Sequence, residues 1–336
     1  MSKTAVLLIN VGTPDEPKVK AVRRYLRQFL NDRRVIDLPW LLQKILVNLI
    51  IVPFRAPKST KLYRQLWTPK GSPLRTSMNE LQKKLQNKTA GNTDFFIAMR
   101  YQNPSIAKAL QEIKDKQYNK IIILPLFPQY ASSTSGTAIQ AVWKHIRKWN
   151  VIPTVQTISQ FYNHPAFIDV FSKKIKSYQP KEYDHIVFSY HGLPNRQLNK
   201  THPGIAASSC HCAEEMPPHG TFCYKATCFE TTRLLVAILD LPEGSYTTSF
   251  QSRLSKNWMT PFTDKTLTQL AQAGKKRVLV AAPAFIADCL ETTLEIGHEY
   301  QKMFIEKGGK ELTMVESLNA DNAWAEAIIK SISSDF

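Results

Sequence analysis

Eight short apolar runs, separated by stretches of helical periodicity, restrict this chain to parallel sheets covered by helices. The runs are 5–11, 95–100, 121–126, 154–159, 185–190, 246–250, 277–282 and 312–316. Between them, helical spacing is read at 17–30, 79–86, 106–116, 138–148, 166–178, 231–239 and 288–307, with a closing helix at 322–332. Strands joined through helices must run parallel, and parallel sheets are buried on both faces. About four strands precede Gln160 and four follow. The expected fold class is therefore α/β, with two Rossmann-like, doubly wound parallel-sheet domains. The expected partition is 1–158 plus the closing segment 319–336, and 159–318.

Ligands of such sheets bind beyond the carboxyl ends of the strands. The polar residues expected there are Asn10, Arg100, Tyr101, Gln129, Tyr130, His191, Gln251, Ser252, Asp288 and Glu291. If both domains turn these ends inward, the residues line one interdomain cleft. A dinucleotide is not the expected occupant. The first strand-to-helix turn, Asn10-Val11-Gly12-Thr13-Pro14-Asp15-Glu16-Pro17, has one glycine and two prolines where pyrophosphate binding needs several glycines.

Charge narrows the partners. Lys and Arg number 44 against 27 Asp and Glu, a net +17 that favours an acidic partner. No zinc-finger, RNP or basic-zipper pattern prefers nucleic acid. Charge alone leaves nucleic acid, a carboxylate-bearing small molecule and an anionic membrane surface open. Met1-Ser2-Lys3-Thr4 leads directly into the first strand with no cleavage site, so no targeting signal is expected. No 18 apolar residues run uninterrupted, so a spanning helix is not expected. The segment 38–55 is nonetheless broken only by Gln43, Lys44 and Asn48, and basic residues flank it at Arg33, Arg34, Arg55 and Lys58. It reads either as a buried helix or as an apolar lip seated in one leaflet.

Four of the five cysteines, Cys210, Cys212, Cys223 and Cys228, fall within nineteen residues. In a reducing compartment, clustered thiols favour a metal over disulfides. The spacing C-x-C-x10-C-x4-C contains no CxxC pair, the usual zinc signal. Four thiolates satisfy either a structural Zn²⁺ or a 2Fe–2S cluster.

Two further patterns carry chemistry. Phe188-Ser189-Tyr190-His191-Gly192-Leu193-Pro194 ends a buried-looking strand on a histidine; a lone histidine is more often structural, but this position faces a ligand site. Downstream, at about 100° per residue, Asp288, Glu291, Glu295, His298 and Glu299 share one helix face, with Phe285, Ile296, Tyr300 and Met303 on its neighbour. Such a stripe is usually solvated surface. Placed at a strand's carboxyl end, its oxygens suit delivery of a borderline cation such as Fe²⁺, and a carboxylate near histidine suits proton removal.

FSYHGLP followed by FIADCLETTLE resembles the ferrochelatase family. So do LLINVGTPDEP, LYRQLWTPKGSPL, AMRYQNPSI, ILPLFPQYASSTSGT, TTSFQSR with NWMTPFTDKTL, and LNADNAWAEAI, in the family's order along almost the whole chain. The resemblance implies a chelatase-like fold whose interdomain cleft takes a porphyrin, with protoporphyrin IX and Fe²⁺ as substrates, protohaem as product and no nucleic-acid partner. It implies His191 and Glu291 as the catalytic pair and as ligands to the incoming iron, with Glu295 the next member of an acidic path. Ser72, Arg100, Tyr101 and Tyr130 fall where the family handles the macrocycle and its propionates, and Trp258 lies in a cleft-lining segment. The family's membrane-facing lip matches 38–55 and implies a cytoplasmic protein in peripheral contact with the inner membrane. Val11 stands where some members have a Tyr or Met facing the ring, and Cys289 where some have a second histidine. The loop 199–203 also departs from the family's usual sequence. The insertion 204–222 resembles that of bacterial members whose four internal cysteines bind a 2Fe–2S cluster, here Cys210, Cys212, Cys223 and Cys228.

Overall fold

A computed structural model describes residues 3–89, 91–201, 204–206 and 209–333. His202 and Pro203 of the divergent loop, and positions 207 and 208 of the insertion, lie outside the described residues. Contacts divide the chain into two compact units: Met1–Phe127 with Ala131–Gln160 and Asn319–Phe336, and Pro128–Tyr130 with Phe161–Leu318.

Each unit holds one four-stranded parallel sheet. The first contains β1 (Thr4–Gly12), β2 (Thr93–Tyr101), β3 (Lys120–Pro125) and β4 (Thr154–Thr157), in the order β2-β1-β3-β4. The second contains β5 (His185–His191), β6 (Tyr246–Gln251), β7 (Arg277–Ala281) and β8 (Glu311–Met314), in the order β6-β5-β7-β8. All eight expected strands are present, their ends displaced by a few residues at most. In β1, Ala5, Val6, Leu7, Leu8 and Ile9 are all fully buried, so side chains on both faces are covered. That explains why the strands read as continuous apolar runs rather than alternating ones. Each large aliphatic side chain so buried contributes about 1.5–3 kcal/mol relative to exposure.

The helices of the first unit are α1 (Val19–Leu30), α2 (Trp40–Ile45), α3 (Val52–Leu66), α4 (Pro73–Lys88), α5 (Ile106–Asp115) and α6 (Thr137–Ile146). The second unit has α7 (Pro165–Lys176), α8 (Asn195–Asn199), α9 (Tyr224–Leu239), α10 (Thr263–Gln272) and α11 (Gln301–Glu306), and α12 (Asn322–Ser333) returns to the first. Three segments wind as π-helix: Leu46–Ile51, Ser132–Gly136 and Leu290–Tyr300. The first of these joins α2 to α3, so Trp40–Leu66 is one helical run of 27 residues, long and apolar enough by length and composition to cross a membrane. The uninterrupted-run criterion applied to the sequence did not anticipate that length. One face of the run is committed to protein, because α3 packs on α1. Gln43 is buried there and donates to the carbonyls of Leu30 and Ile36 at 3.2 and 3.0 Å. The other face carries Trp40, Leu41, Leu42, Ile45, Leu49, Ile50 and Phe54, all exposed, with Phe54 at 71%. The buried-helix alternative therefore does not hold for this face.

In both sheets the strand order reverses between the first and third strands. That topological switch point is where open α/β sheets open a crevice for ligands. In the second unit it lies between the ends of β5 and β7, the strands that lead to His191 and to Leu290–Tyr300.

Candidate functional site

β5 ends on His191, which is half-buried, and Gly192 follows at once. A side chain at Gly192 would sit 3.0 Å from the Gln251 carbonyl and 3.5 Å from the Trp258 ring, so one could enter only if its neighbours gave way. The His191 Nδ1 lies 2.7 Å from the Gly192 carbonyl oxygen. A carbonyl can only accept, so Nδ1 carries a proton and Nε2 is the nitrogen left uncommitted by this contact. Trp258 and Phe285 flank the imidazole, each with its ring centre 6.4 Å away.

Gln251 sits directly across the sheet from His191. Its Nε2 donates to the main-chain carbonyl of Glu291 at 3.1 Å. One buried glutamine thus stands between the imidazole's strand and the residue chosen from sequence as its partner. Glu291 lies in the first turn of the π-helix Leu290–Tyr300, where the helix dipole favours a carboxylate. Cys289 caps that helix: its sulfur accepts from the Thr292 N–H, while its own N–H donates to the Thr292 hydroxyl at 3.0 Å.

The acidic stripe needs correcting. Expected α-helical winding aligns all five polar residues, whereas π winding, with i→i+5 bonds, advances less per residue. Glu291 and Glu295 stay half-buried, while His298 and Glu299 are exposed. Glu295 is held by Ser252 and Tyr300: Ser252 N–H to Oε1 at 2.9 Å, Ser252 hydroxyl to Oε2 at 2.5 Å, Tyr300 hydroxyl to Oε1 at 2.6 Å. Burial, then the Glu295 charge, push the Tyr300 phenol well above its ordinary value, so it stays a neutral donor.

In the first unit, Gly12 and Tyr101 end β1 and β2 as neighbours. Gly12 has φ of +106°, and a Cβ there would overlap the Tyr101 carbonyl oxygen. Ser72 is buried and donates to the Thr13 hydroxyl at 3.0 Å. Arg100 and Tyr101 converge on Asp32, a residue not singled out from the sequence. Arg100 pairs with its carboxylate at 2.6 Å, the Tyr101 hydroxyl donates at 3.0 Å, the Arg34 N–H at 2.8 Å, and the Thr137 hydroxyl also donates. Burial works to raise the Asp32 carboxyl; the Thr137 and Arg34 hydrogen bonds and the Arg100 charge outweigh it and hold the group below the usual range. Tyr130, in the second unit, is half-buried and meets the exposed Phe222 edge-on at 5.6 Å between ring centres.

The four clustered cysteines come together. Cys212, Cys223 and Cys228 are fully buried, and Cys210 packs on Cys212 and Cys223 at the solvent side. Cys210 Sγ lies 3.5 Å from His219 Nε2. Cys223 caps α9 by accepting the Ala226 N–H at 3.5 Å, and Cys228 follows on that helix. Arg233 reaches back to the Cys212 and Ala213 carbonyls at 3.3 Å each. Burial pushes the Cys212 thiol up to about 12 and raises Cys223 and Cys228 as well. Such thiols are protonated packing groups until a cation displaces their protons. Among the described residues, no three His, Cys, Asp or Glu side chains already form a coordination shell. The donor type, cysteine sulfur, is the one a thiophilic metal centre takes.

The profile of a protein family described as Ferrochelatase matches residues 3–335. A relative from Coxiella burnetii (strain Dugway 5J108-111), named Ferrochelatase, is 43% identical over 339 residues, covering 98% of this chain and 93% of that protein. Another of the same name, from Legionella pneumophila (strain Lens), is 39% identical over 340 residues, covering 99% and 100%. Among solved structures, SirB from Bacillus subtilis with Fe³⁺ aligns with a TM-score of 0.58 at 10% identity, over 98% of this chain and 94% of that one. At that identity the likeness is one of fold.

Proposed function

The chain belongs to the ferrochelatase family, and on that premise we propose that it inserts Fe²⁺ into protoporphyrin IX to give protohaem, with His191 and Glu291 at the reacting centre. The observation that carries the site is the tautomer of His191. Its Nδ1–H is tied to the Gly192 carbonyl, so Nε2 is the ring nitrogen left for the reaction at the switch point of the second sheet. Insertion displaces two pyrrole N–H protons as Fe²⁺ takes the ring nitrogens. His191 Nε2 accepts a pyrrole proton or briefly ligates the metal. The Glu291 carboxylate, beside the Cys289 thiol at the start of the π-helix, draws in the cation and balances the imidazolium. No nucleotide is required, because the metal–nitrogen bonds supply the driving force. Holding the ring bent toward the geometry of metal entry favours the transition state. Trp258 and Tyr130 offer aromatic surface for the macrocycle. In the first unit Ser72, Arg100 and Tyr101 are proposed for substrate handling, with Arg100 oriented by Asp32.

The ring is protoporphyrin and not a more carboxylated tetrapyrrole, because the exposed apolar face of Trp40–Leu66 suits a substrate that arrives from a lipid phase. Competition between protoporphyrin, coproporphyrin and sirohydrochlorin in one steady-state assay tests this: protoporphyrin is expected to have the highest kcat/KM, and a large preference for either rival would overturn the choice.

The same face, with Arg33, Arg34, Arg55 and Lys58 flanking it, is proposed to seat in one leaflet of the inner membrane from the cytoplasmic side. A spanning position would strip α3 from α1 and expose Gln43. Replacing both Leu49 and Phe54 by Glu removes about 1.5–3 kcal/mol of apolar burial per site. Co-flotation with anionic phospholipid vesicles is expected to fall at least about tenfold; unchanged flotation would remove the lip from the account.

We further propose that Cys210, Cys212, Cys223 and Cys228 hold a 2Fe–2S cluster, with a structural Zn²⁺ as the alternative. The sulfurs fit either centre, and the absence of a CxxC pair favours the cluster. When bound, the cluster supplies a one-electron redox centre and a crosslink between the insertion and α9. His191 and Glu291 perform the insertion chemistry without it.

A further inference from the structure

We infer that Gln251, Ser252 and Tyr300 form a clamp that fixes the direction of Glu291, and that Glu295 is the anchor of this clamp and not a stopping place for incoming iron. The inference rests on the assignment of Glu291 to the reacting centre made above.

An ionised carboxylate offers about four acceptor positions. On Glu295 three are already taken, by the Ser252 N–H, the Ser252 hydroxyl and the Tyr300 hydroxyl, at 2.9, 2.5 and 2.6 Å. These donors come from both ends of the site: Ser252 directly follows β6, and Tyr300 closes the π-helix. Iron ligation by Glu295 would require it to release charge-assisted hydrogen bonds, among the strongest a side chain makes. Ser252 also occupies the left-handed region, with φ of +61°. A non-glycine residue stays there only where its surroundings over-determine it. Here that conformation lets its N–H and its hydroxyl reach one carboxylate together.

The second grip is Gln251. Its Oε1 accepts the Ser189 hydroxyl at 2.6 Å, and Ser189 and Ser249 each lie 2.9 Å from the Thr263 hydroxyl at the start of α10. All four side chains are buried. The Glu291 carbonyl can only accept, so it takes Nε2 and leaves Oε1 to the Ser189 hydroxyl, and the buried chain of hydroxyls holds the amide in that place. Wide i→i+5 winding is rare and confined to short stretches, often at functional sites. Over Leu290–Tyr300 it is gripped at 291 from Gln251 and at 295 from Ser252, with Tyr300 closing onto Glu295. Released, the segment can relax toward α-helix, which changes the rotation and rise of every residue and shifts the Glu291 carboxylate relative to His191.

The two roles for Glu295 predict opposite kinetics. Haem formation is measured against Fe²⁺ concentration for Tyr300→Phe, Ser252→Ala, Glu295→Gln, Glu295→Ala and, as the control for the underlying site, Glu291→Gln. If Glu295 anchors the clamp, Tyr300→Phe and Ser252→Ala each lower kcat by about tenfold or more, the size of a small misplacement of a reacting group, with KM for Fe²⁺ unchanged. Glu295→Gln falls much less than Glu295→Ala, because an amide still accepts from Tyr300 and can donate to the Ser252 hydroxyl. If Glu295 carries iron, the pattern inverts: Tyr300→Phe frees it and leaves kcat intact, while Gln and Ala raise KM for Fe²⁺ alike. That inverted pattern overturns the clamp. Wild-type turnover in Glu291→Gln removes the site assignment, and the clamp falls with it. Porphyrin binding followed by fluorescence, together with thermal unfolding, shows that each variant is folded. The conservative Tyr300→Phe decides the question if Glu295→Ala does not fold.

Discussion

Glu291→Gln and His191→Ala each lower the rate of haem formation by at least about a hundredfold, the loss expected when a positioned acid–base group is removed. The glutamine keeps the shape of the side chain and leaves untouched the main-chain carbonyl that accepts from Gln251 at 3.1 Å. Its effect therefore reports the lost negative charge. His191→Ala removes Nε2, the only ring nitrogen not committed to the Gly192 carbonyl. Steady-state assays at saturating porphyrin and Fe²⁺ measure both. Porphyrin affinity is expected to change little, because the aromatic surface at Trp258 and Phe285 remains. Wild-type-like turnover in either variant would rule out the role assigned to that residue.

Cys223→Ser abolishes the visible absorbance of the purified protein. The native protein is expected to be red-brown and to contain iron and acid-labile sulfide. Removing one of four thiolates leaves a 2Fe–2S cluster without a full ligand set. Position 223 separates ligand loss from unfolding. Cys223 starts α9 as its N-cap, accepting from Ala226, and serine is a preferred residue in that role. The helix keeps its start while the sulfur is lost. The raised thiol pKa values of Cys212, Cys223 and Cys228 add a condition: loading must displace protons, so uptake is expected to be favoured toward higher pH. A colourless preparation carrying zinc would replace the cluster with a structural Zn²⁺.

The sheets were readable because their strands are buried on both faces; Ala5 to Ile9 needs no partner to be recognised as a strand. His191 was readable because it ends such a run and Gly192 forces a turn. The π winding at Leu290–Tyr300 was not. Acidic residues at 291, 295 and 299 satisfy α-helical spacing equally well, and the wider winding is held by Gln251 and Ser252, some forty residues distant. Asp32 was invisible for the same reason: it lies in a short polar segment, and Arg100, Tyr101 and Thr137 reach it from 68, 69 and 105 positions away. The helix Val52–Leu66 was hidden by Pro53 and Pro57. The first sits at the start of the helix, where its missing N–H costs least; Pro57 remains inside it. The family resemblance supplied roles for Ser72, Tyr130 and Trp258 that no local pattern announces.

The first unit closes late. Its helix α12 packs on α4, with the Ser77 hydroxyl donating to the Asn319 side chain at 3.1 Å, Lys84 to the Ala320 carbonyl at 2.6 Å, and Lys88 paired with Glu326 at 2.7 Å. Every partner of that seam lies beyond Leu318, so the whole second unit must be synthesised before the seam can form. A nascent chain carrying all of 3–160 still shows the bare flank of α4 to its surroundings. The order of assembly therefore runs inside out, with the inserted unit completed before the one that encloses it in sequence.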